Sequence, residues 1–216
     1  MSSQSSTVTA AHFDYIARRT RADDPFLVEL KAAASARGIP AIWIAPEQAA
    51  FLRILLAASK VREVVEVGTL AGYSAIQMAR ALTGGGRVRT IDLEPAHVQF
   101  AREWIAKSDV AERITVIEGR ARDVLATFAS NSADAAFLDA DKSNYPLYLE
   151  ESLRIVKPGG LVLVDNAFAF GQVLEAHPRD REAPAIQRFN ELMARETRLE
   201  SVIVPLGDGL WVAVKR

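Results

Sequence analysis

Glu66-Val67-Gly68-Thr69-Leu70-Ala71-Gly72-Tyr73-Ser74 joins an apolar, β-branched run to a segment with helical spacing. The preceding run, 62–67, is typical of a buried parallel strand, and residues 74–82 have the apolar spacing of a helix. Gly68 permits a sharp turn because it has no Cβ, and Gly72 permits close approach of the backbone to a ligand or to the sheet. The stretch therefore predicts a strand-turn-helix cradle that is large enough for a nucleotide.

Residues in and around this turn distinguish a dinucleotide site from a site for S-adenosylmethionine. A dinucleotide fingerprint requires glycine at the third and sixth positions counted from Gly68, where this sequence has Leu70 and Tyr73. Glu66 ends the strand with a carboxylate that would repel a diphosphate but attract the ammonium and sulfonium groups of S-adenosylmethionine. Asp92 follows the second predicted strand, where a carboxylate can accept two ribose hydroxyls. An ordinary tight turn explains the glycines alone, but Glu66 and Asp92 favour an S-adenosylmethionine site.

Length and composition restrict the function further. The chain has 216 residues, 50% of them hydrophobic, which is sufficient for one sizeable α/β core. Its formal net charge of -1 provides no basic surface for nucleic acid or membrane, so we expect a small-molecule substrate. The absence of cysteine excludes a thiolate nucleophile and a cysteine-ligated zinc site. Neither a signal peptide nor an apolar run of eighteen residues is recognisable, so we expect a cytoplasmic protein.

Strands and helices alternate along most of the chain, which predicts a parallel sheet with helices on both faces. The predicted strands are 62–67, 87–91, 114–117, 133–138, 161–164, 201–205 and 210–214. Lys157-Pro158-Gly159-Gly160 is expected to form the turn that leads into the fifth strand. A helix that ends near residue 198 is expected before the last two strands. Gly207-Asp208-Gly209 joins these two strands as a hairpin. The predicted fold class is α/β, with a mostly parallel seven-stranded sheet that ends in an antiparallel hairpin, in one domain spanning 1–216.

The segment before the first strand has helical spacing at 11–19 and 24–37, and a third helix begins at Pro46. We expect residues 1–45 to form an N-terminal helical segment. Ile42-Trp43-Ile44 lies at its end, where core packing is the expected role and a lid over the cofactor is the alternative.

A second polar cluster follows the fourth and fifth predicted strands. Asp139 comes directly after the fourth, and Asp165-Asn166 comes after the fifth. Because neighbouring strands lie about 4.8 Å apart and end at the same edge, the two carboxylates can direct oxygens at one point. Two carboxylates and an amide oxygen suit Mg²⁺, Mn²⁺ or Ca²⁺, with positions left for substrate. Each residue alone could be a cap or a turn residue, but the three together, with Lys142 nearby, favour a cation site.

The three histidines are not spaced as the ligands of a metal ion would be, and no role is predicted for them.

These motifs resemble the cation-dependent O-methyltransferases, the family that includes the caffeoyl-CoA and catechol enzymes and many bacterial relatives. The resemblance extends from Ile44 to the C-terminus. Its most specific segments are Glu66-Val67-Gly68, Gly72-Tyr73-Ser74, Ile91-Asp92, Asp139-Ala140-Asp141-Lys142, Asn144-Tyr145, Asp165-Asn166 and Gly207-Asp208-Gly209. It implies a Rossmann-like class I methyltransferase fold, with S-adenosylmethionine and a divalent cation as cofactors. It also implies a homodimer, for which the apolar terminal hairpin with Trp211 is expected to supply a covered surface, although Trp211 itself falls on a core-like position.

The resemblance implies roles for individual residues. The implied cofactor-binding residues are Ile44, Glu66, Gly68, Thr69, Ser74, Asp92, Ala121 and Asp139. The implied metal ligands are Asp139, Asp165 and Asn166, and the implied catalytic residues are Lys142, as the general base, and Asp139. Two departures from the family pattern are Ala50, where many relatives have glutamine, and Ala167-Phe168-Ala169-Phe170, which replaces a more polar stretch. These departures count against a plant-type acyl-CoA substrate and leave open whether a CoA ester is accepted.

The expected function is S-adenosylmethionine-dependent and divalent-cation-dependent O-methylation of a catechol-like substrate, which carries two neighbouring phenolic hydroxyls. Two alternatives are a nicotinamide-dependent oxidoreductase on a similar sheet and a non-catalytic module that binds S-adenosylmethionine. The first predicts binding of NAD, whereas the second predicts that no S-adenosylhomocysteine is released with any catechol.

Overall fold

Seven strands form one sheet in the computed structural model, which describes residues 8–216. They are β1 Glu63–Val67, β2 Arg87–Asp92, β3 Ile114–Glu118, β4 Ala133–Leu138, β5 Val156–Val164, β6 Leu199–Val204 and β7 Leu210–Lys215. The order is β3-β2-β1-β4-β5-β7-β6, in which the first five pair in parallel and β7 is antiparallel to both β5 and β6. The predicted fold class is confirmed, including the C-terminal antiparallel hairpin.

The helices form two layers, one on each face of the sheet. They are α1 Ala10–Ala17, α2 Pro25–Ala36, α3 Pro46–Ala58, α4 Tyr73–Ala81, α5 Pro95–Ile105, α6 Ala121–Ala126, α7 Tyr145–Ile155 and α8 Ala183–Arg195. Proline lies in the first turn of five of them, where its missing N–H has no intrahelical partner to lose. Val64 of β1 packs in a core with α2 to α5, whereas Val65 and Val67 pack in a second core with α6 to α8. This alternation follows from the two-residue period of a strand.

The strand register aligns the residues that carry the predicted chemistry. Val67 is paired with Ile91 on one side and with Leu138 on the other, and Leu138 is paired with Val164. The residues that come next in the chain are Gly68, Asp92, Asp139 and Asp165. They therefore lie at one edge of the sheet, as ligand sites do in open α/β folds.

Several boundaries differ from the predicted ones. Residues 157–160, expected as a turn, lie within β5 as a bulge, because Ala133 is paired with Val156 but Ala135 is paired with Leu161. Asp24 is not the first residue of α2 but its cap, and it accepts a hydrogen bond from the Leu27 amide at 3.0 Å. The part of the predicted N-terminal segment that falls in residues 1–7 lies outside the described residues. Over residues 8–216, no helix is both long and apolar enough to span a membrane.

Candidate active site

The glycine turn after β1 brings the ends of two strands into contact. Gly68 has φ +102°, and an added Cβ would lie 1.9 Å from the Asp139 carbonyl oxygen. Any side chain at this position would therefore separate β1 from β4. Gly72, the cap of α4, has φ +83°, and its added Cβ would lie 3.2 Å from the Ile105 side chain. Gly72 therefore permits packing of α4 against α5, and the predicted approach of the backbone to a ligand stays a prediction.

Asp92 holds this turn in place. Its Oδ2 accepts hydrogen bonds from the backbone amides of Thr69 at 3.0 Å and Leu70 at 2.8 Å, and its Oδ1 accepts one from the Glu94 amide at 2.9 Å. The His97 Nδ1 atom lies 3.5 Å from the same Oδ1. The carboxylate predicted to bind ribose thus organises the turn after β1, and contact with ribose stays a prediction. His97 was missed because a single histidine in a helix carries no spacing signal.

Two clefts open at this edge and share Gly68 and Asp92. The first has a volume of about 210 Å³, and the second, of about 410 Å³, extends toward α6. The predicted cofactor residues that line the first cleft are Ile44, Gly68, Thr69, Ser74, Asp92 and Asp139. Ala121 lines the second. Ile42 and Trp43 also line the first cleft, and Ile42 is 69% exposed, so the expected core role applies to Ile44 but is wrong for Ile42.

Glu66 lies buried below the first cleft. The Ser74 hydroxyl donates a hydrogen bond of 2.5 Å to its Oε1, but its Oε2 has no partner among the described residues. Burial raises the pKa of Glu66 to about 8, and the negative charges of Asp139 and Asp92 contribute in the same direction. A buried carboxyl oxygen without a hydrogen-bond partner is costly, and the cost is larger when the group is ionised. The site therefore fits a ligand that brings a cationic donor to this oxygen, as the α-ammonium of S-adenosylmethionine would.

Lys142 is buried at the same edge. Its Nζ donates hydrogen bonds to Asp139 Oδ1 at 3.0 Å and to the Tyr145 hydroxyl at 2.6 Å. The Tyr145 hydroxyl lies 3.4 Å from the carbonyl oxygens of Leu138 and Asp165, to which it can donate. Burial and the nearby carboxylates raise the pKa of Tyr145 well above its usual value, so this phenol stays protonated. Lys142 is thus held at the ends of β4 and β5.

Asp139 and Asp165 follow the paired residues Leu138 and Val164, and the Asp165 amide donates to the Leu138 carbonyl at 3.0 Å. Asp165 is 5% exposed, and burial together with the charge of Asp139 raises its pKa to about 7. Gln48 of α3 donates a hydrogen bond of 2.5 Å to Asp165 Oδ1. The sequence did not predict this contact, although an amide on the buried face of α3 was a signal for it.

Asn166 completes the predicted oxygen cluster. Its Nδ2 donates to Asp208 Oδ2 at 3.2 Å, which leaves its Oδ1 available to a cation. Among residues 8–216, no group of three or more histidine, cysteine, aspartate or glutamate side chains is arranged to hold a metal ion. The cluster has two carboxylates and one amide, so water or substrate would complete the coordination. The raised pKa of Asp165 beside Asp139 indicates unfavourable negative charge that a divalent cation would relieve, so the donor set fits such an ion.

The sheet order β3-β2-β1-β4-β5-β7-β6, with a cleft over its carboxyl edge, a glycine turn after β1 and a carboxylate at the end of β2, is the arrangement of a class I methyltransferase. The O-methyltransferase family profile matches residues 18–216. Catechol O-methyltransferase of Mycobacterium tuberculosis is 36% identical over 182 residues, which cover 84% of this chain and 82% of the relative. Catechol O-methyltransferase of Niastella koreensis is 34% identical over 200 residues, which cover 89% of this chain and 90% of the relative. The structure of an O-methyltransferase from Bacillus cereus in complex with SAH, S-adenosylhomocysteine, has a TM-score of 0.86 and 33% identity, and the alignment covers 95% of this chain and 97% of that chain.

The chain belongs to the O-methyltransferase family, and it is an S-adenosylmethionine-dependent O-methyltransferase. The resemblance stated from the sequence is confirmed at the level of the family. Family membership also excludes the nicotinamide-dependent alternative.

Proposed function

We propose that the protein transfers the methyl group of S-adenosylmethionine to one hydroxyl of a catechol-like substrate, with the help of a divalent cation. The observation that carries the proposal is the position of buried Lys142 beside Asp139, at the sheet edge where Asp165 and Asn166 also lie. The names of the two relatives, both catechol O-methyltransferases, support the substrate class. The test is whether a catechol releases S-adenosylhomocysteine and a monomethyl ether in equal amounts, because a non-catalytic binding module would release neither.

The cofactor supplies the methyl group when it is bound. Ser74 and Glu66 would receive its methionine end, where the free Glu66 Oε2 can accept a donor. Asp92 and Ala121 would receive the adenosine, because they line the second cleft. Holding the cofactor and the substrate in one orientation at this edge should account for much of the rate enhancement.

Asp139, Asp165 and Asn166 would hold the cation. A divalent cation in this place would supply Lewis-acid stabilisation of a phenolate oxygen at neutral pH. Without that positive charge, the two carboxylates would repel an anionic substrate. Magnesium, manganese and calcium all accept such oxygen ligands.

Lys142 would accept the hydroxyl proton when its amine is neutral. Tyr145 and Asp139 hold its nitrogen, at 2.6 Å and 3.0 Å, so the base is fixed relative to the oxygen cluster. A fixed general base with the substrate oxygen in hydrogen-bond reach favours the transfer.

Glu66→Gln is expected to make the ligand-free protein less sensitive to pH while weakening cofactor binding. The pKa of Glu66 is raised from 4.5 to about 8, so the native state keeps a proton that the unfolded state has lost between those values. This group's contribution to the free energy of unfolding therefore falls as pH rises through that range. At pH 8 the variant should be more stable than the wild type by roughly 1–4 kcal/mol.

Urea unfolding at pH 5.5 and at pH 8, without cofactor, measures this effect. Exposed Glu112→Gln is the matched control and should keep the wild-type pH dependence. Asp165 titrates in the same direction in both proteins, so only the difference between them is informative. An identical pH dependence for wild type and Glu66→Gln would contradict the assignment.

We propose that the protein is a homodimer, on the basis of apolar residues on its terminal hairpin. Val202 is 59% exposed and Val214 is 39% exposed. Trp211 does not contribute as expected, because it is 7% exposed and its Nε1 donates to Asn190 at 2.7 Å. Light scattering should give twice the chain mass of 23.6 kDa, and Val202→Lys should shift the protein toward the monomer. A monomer at micromolar concentration would contradict the dimer.

A further inference from the structure

The loop that follows Asp165 has an unfavourable backbone conformation. Asn166, Ala169 and Phe170 have φ values of 65°, 54° and 57°. The left-handed region is sparsely populated by residues that carry a Cβ. Such residues persist where surrounding contacts fix them, and they cluster at functional sites. Asparagine adopts this region readily, but Ala169 and Phe170 do not, so the loop that begins at Asn166 requires contacts that fix its backbone.

The hairpin tip, Gly207-Asp208-Gly209 between β6 and β7, supplies those contacts. The Ala167 amide donates to the Gly209 carbonyl and the Phe168 amide to the Asp208 carbonyl, both at 2.8 Å. The Asp208 carboxylate accepts from the amides of Phe170 at 2.8 Å and Gly171 at 3.2 Å. It also accepts from Asn166 Nδ2 at 3.2 Å. One carboxylate thus fixes both the loop backbone and the orientation of the Asn166 amide.

The same hairpin tip also contacts the residue that holds Asp165. Gly207 has φ +56°, and an added Cβ would lie 2.1 Å from Gln48 Oε1. The other end of this buried amide donates to Asp165 Oδ1 at 2.5 Å. A side chain at Gly207 would displace Gln48 and with it the hydrogen bond to Asp165.

We infer that the hairpin tip positions two cation-binding side chains, Asn166 through Asp208 and Asp165 through Gly207 and Gln48. This inference rests on the proposed function. Asp208 and Gln48 are positioning residues, since neither one belongs to the proposed ligand set. Hydrogen-bond partners of metal ligands orient those ligands, and loss of such a partner commonly lowers metal affinity 10–100-fold. The hairpin therefore belongs to the active site, although it lies 42 residues beyond Asn166 in the sequence.

The test measures the affinity of the full chain, saturated with S-adenosylmethionine, for Mn²⁺ by electron paramagnetic resonance. Asp208→Ala and Gln48→Ala should each lower this affinity by about 10–100-fold. Asp180→Asn is the matched control, because Asp180 also accepts a backbone amide in a loop, from Glu182 at 2.8 Å. Its Mn²⁺ affinity should equal that of the wild type.

A second readout separates positioning from general damage to the fold. Excess Mn²⁺ should restore most of the kcat of Asp208→Ala and Gln48→Ala, since the ligands themselves remain. Wild-type Mn²⁺ affinity in both variants, or kcat that excess Mn²⁺ does not restore, would overturn the inference while leaving the proposed function intact. If the wild type itself binds no Mn²⁺, the proposed cation site fails and the inference about the hairpin fails with it. If Asp208→Ala does not fold, Gln48→Ala decides the result, because it acts from α3.

Discussion

Removal of the divalent cation is expected to abolish methyl transfer and to leave S-adenosylmethionine binding largely intact. Of the three proposed ligands only Asp139 lines a cleft assigned to the cofactor, whereas Asp165 and Asn166 line neither of the two clefts. Their cation would hold the oxygens of the substrate, and loss of this electrostatic stabilisation should reduce turnover at least about 100-fold. Turnover is measured as S-adenosylhomocysteine formed from a catechol before and after treatment with EDTA, and cofactor affinity is measured by calorimetry.

Asp165→Ala and Asn166→Ala should reproduce the effect of the chelator. Added Mg²⁺ should restore the chelated wild type but not these variants, because the ligands themselves are missing. Asp180→Asn should respond to EDTA and Mg²⁺ as the wild type does. Full activity with a catechol in metal-free buffer would show that the cation-dependent mechanism is wrong, whatever the affinity for the cofactor.

Lys142→Met should lower turnover at neutral pH by about 10²–10⁴-fold and lose much less at high pH. The nitrogen of Lys142 lies between Asp139 and Tyr145, and the side chain is 6% exposed, so water cannot easily replace it as the base. At high pH the phenol ionises without help, and the need for a base disappears. Methionine keeps most of the apolar volume and limits damage to packing.

The dependence of kcat on pH measures this effect. Lys157→Met, which removes a lysine paired with Asp134, is the control and should keep the wild-type profile. Tyr145→Phe should show a smaller loss than Lys142→Met, because one contact to the lysine is lost but the base remains. A loss by the same factor at every pH would assign Lys142 to a structural role.

Much of the site could be predicted because its residues follow strands directly. Asp92, Asp139 and Asp165 each lie at the carboxyl end of a parallel strand, and topology alone brings those ends together. The strand pattern also predicted the sheet, since alternation of apolar runs with helical segments leaves few topologies. The ends of helices were predicted less accurately. Asp24, for example, stands at the start of the helical pattern, but its backbone is extended and it caps α2 from outside.

The residues that sequence reasoning missed act across long separations. Gln48 contacts Asp165, 117 residues away, and Asp208 holds the loop after β5 through hydrogen bonds that no local pattern encodes. The sequence marked Asp208 as part of a hairpin motif and placed the Gln48 amide on the buried face of α3, but only the packing of α3 and of the hairpin shows which residues they contact. At Trp211 the expected core position is confirmed, because the side chain is 7% exposed and packs in the protein's own core, and its expected share in a covered surface is wrong.

The most direct test of the proposed function compares catechol with phenol as methyl acceptor, at equal concentration with S-adenosylmethionine and Mg²⁺. Mass spectrometry follows the methyl ether and S-adenosylhomocysteine together. The site predicts equal amounts of both products from catechol and turnover at least about 100-fold slower with phenol, which lacks the second oxygen that a cation can chelate. Equal rates for the two compounds, or no product from catechol, would contradict it.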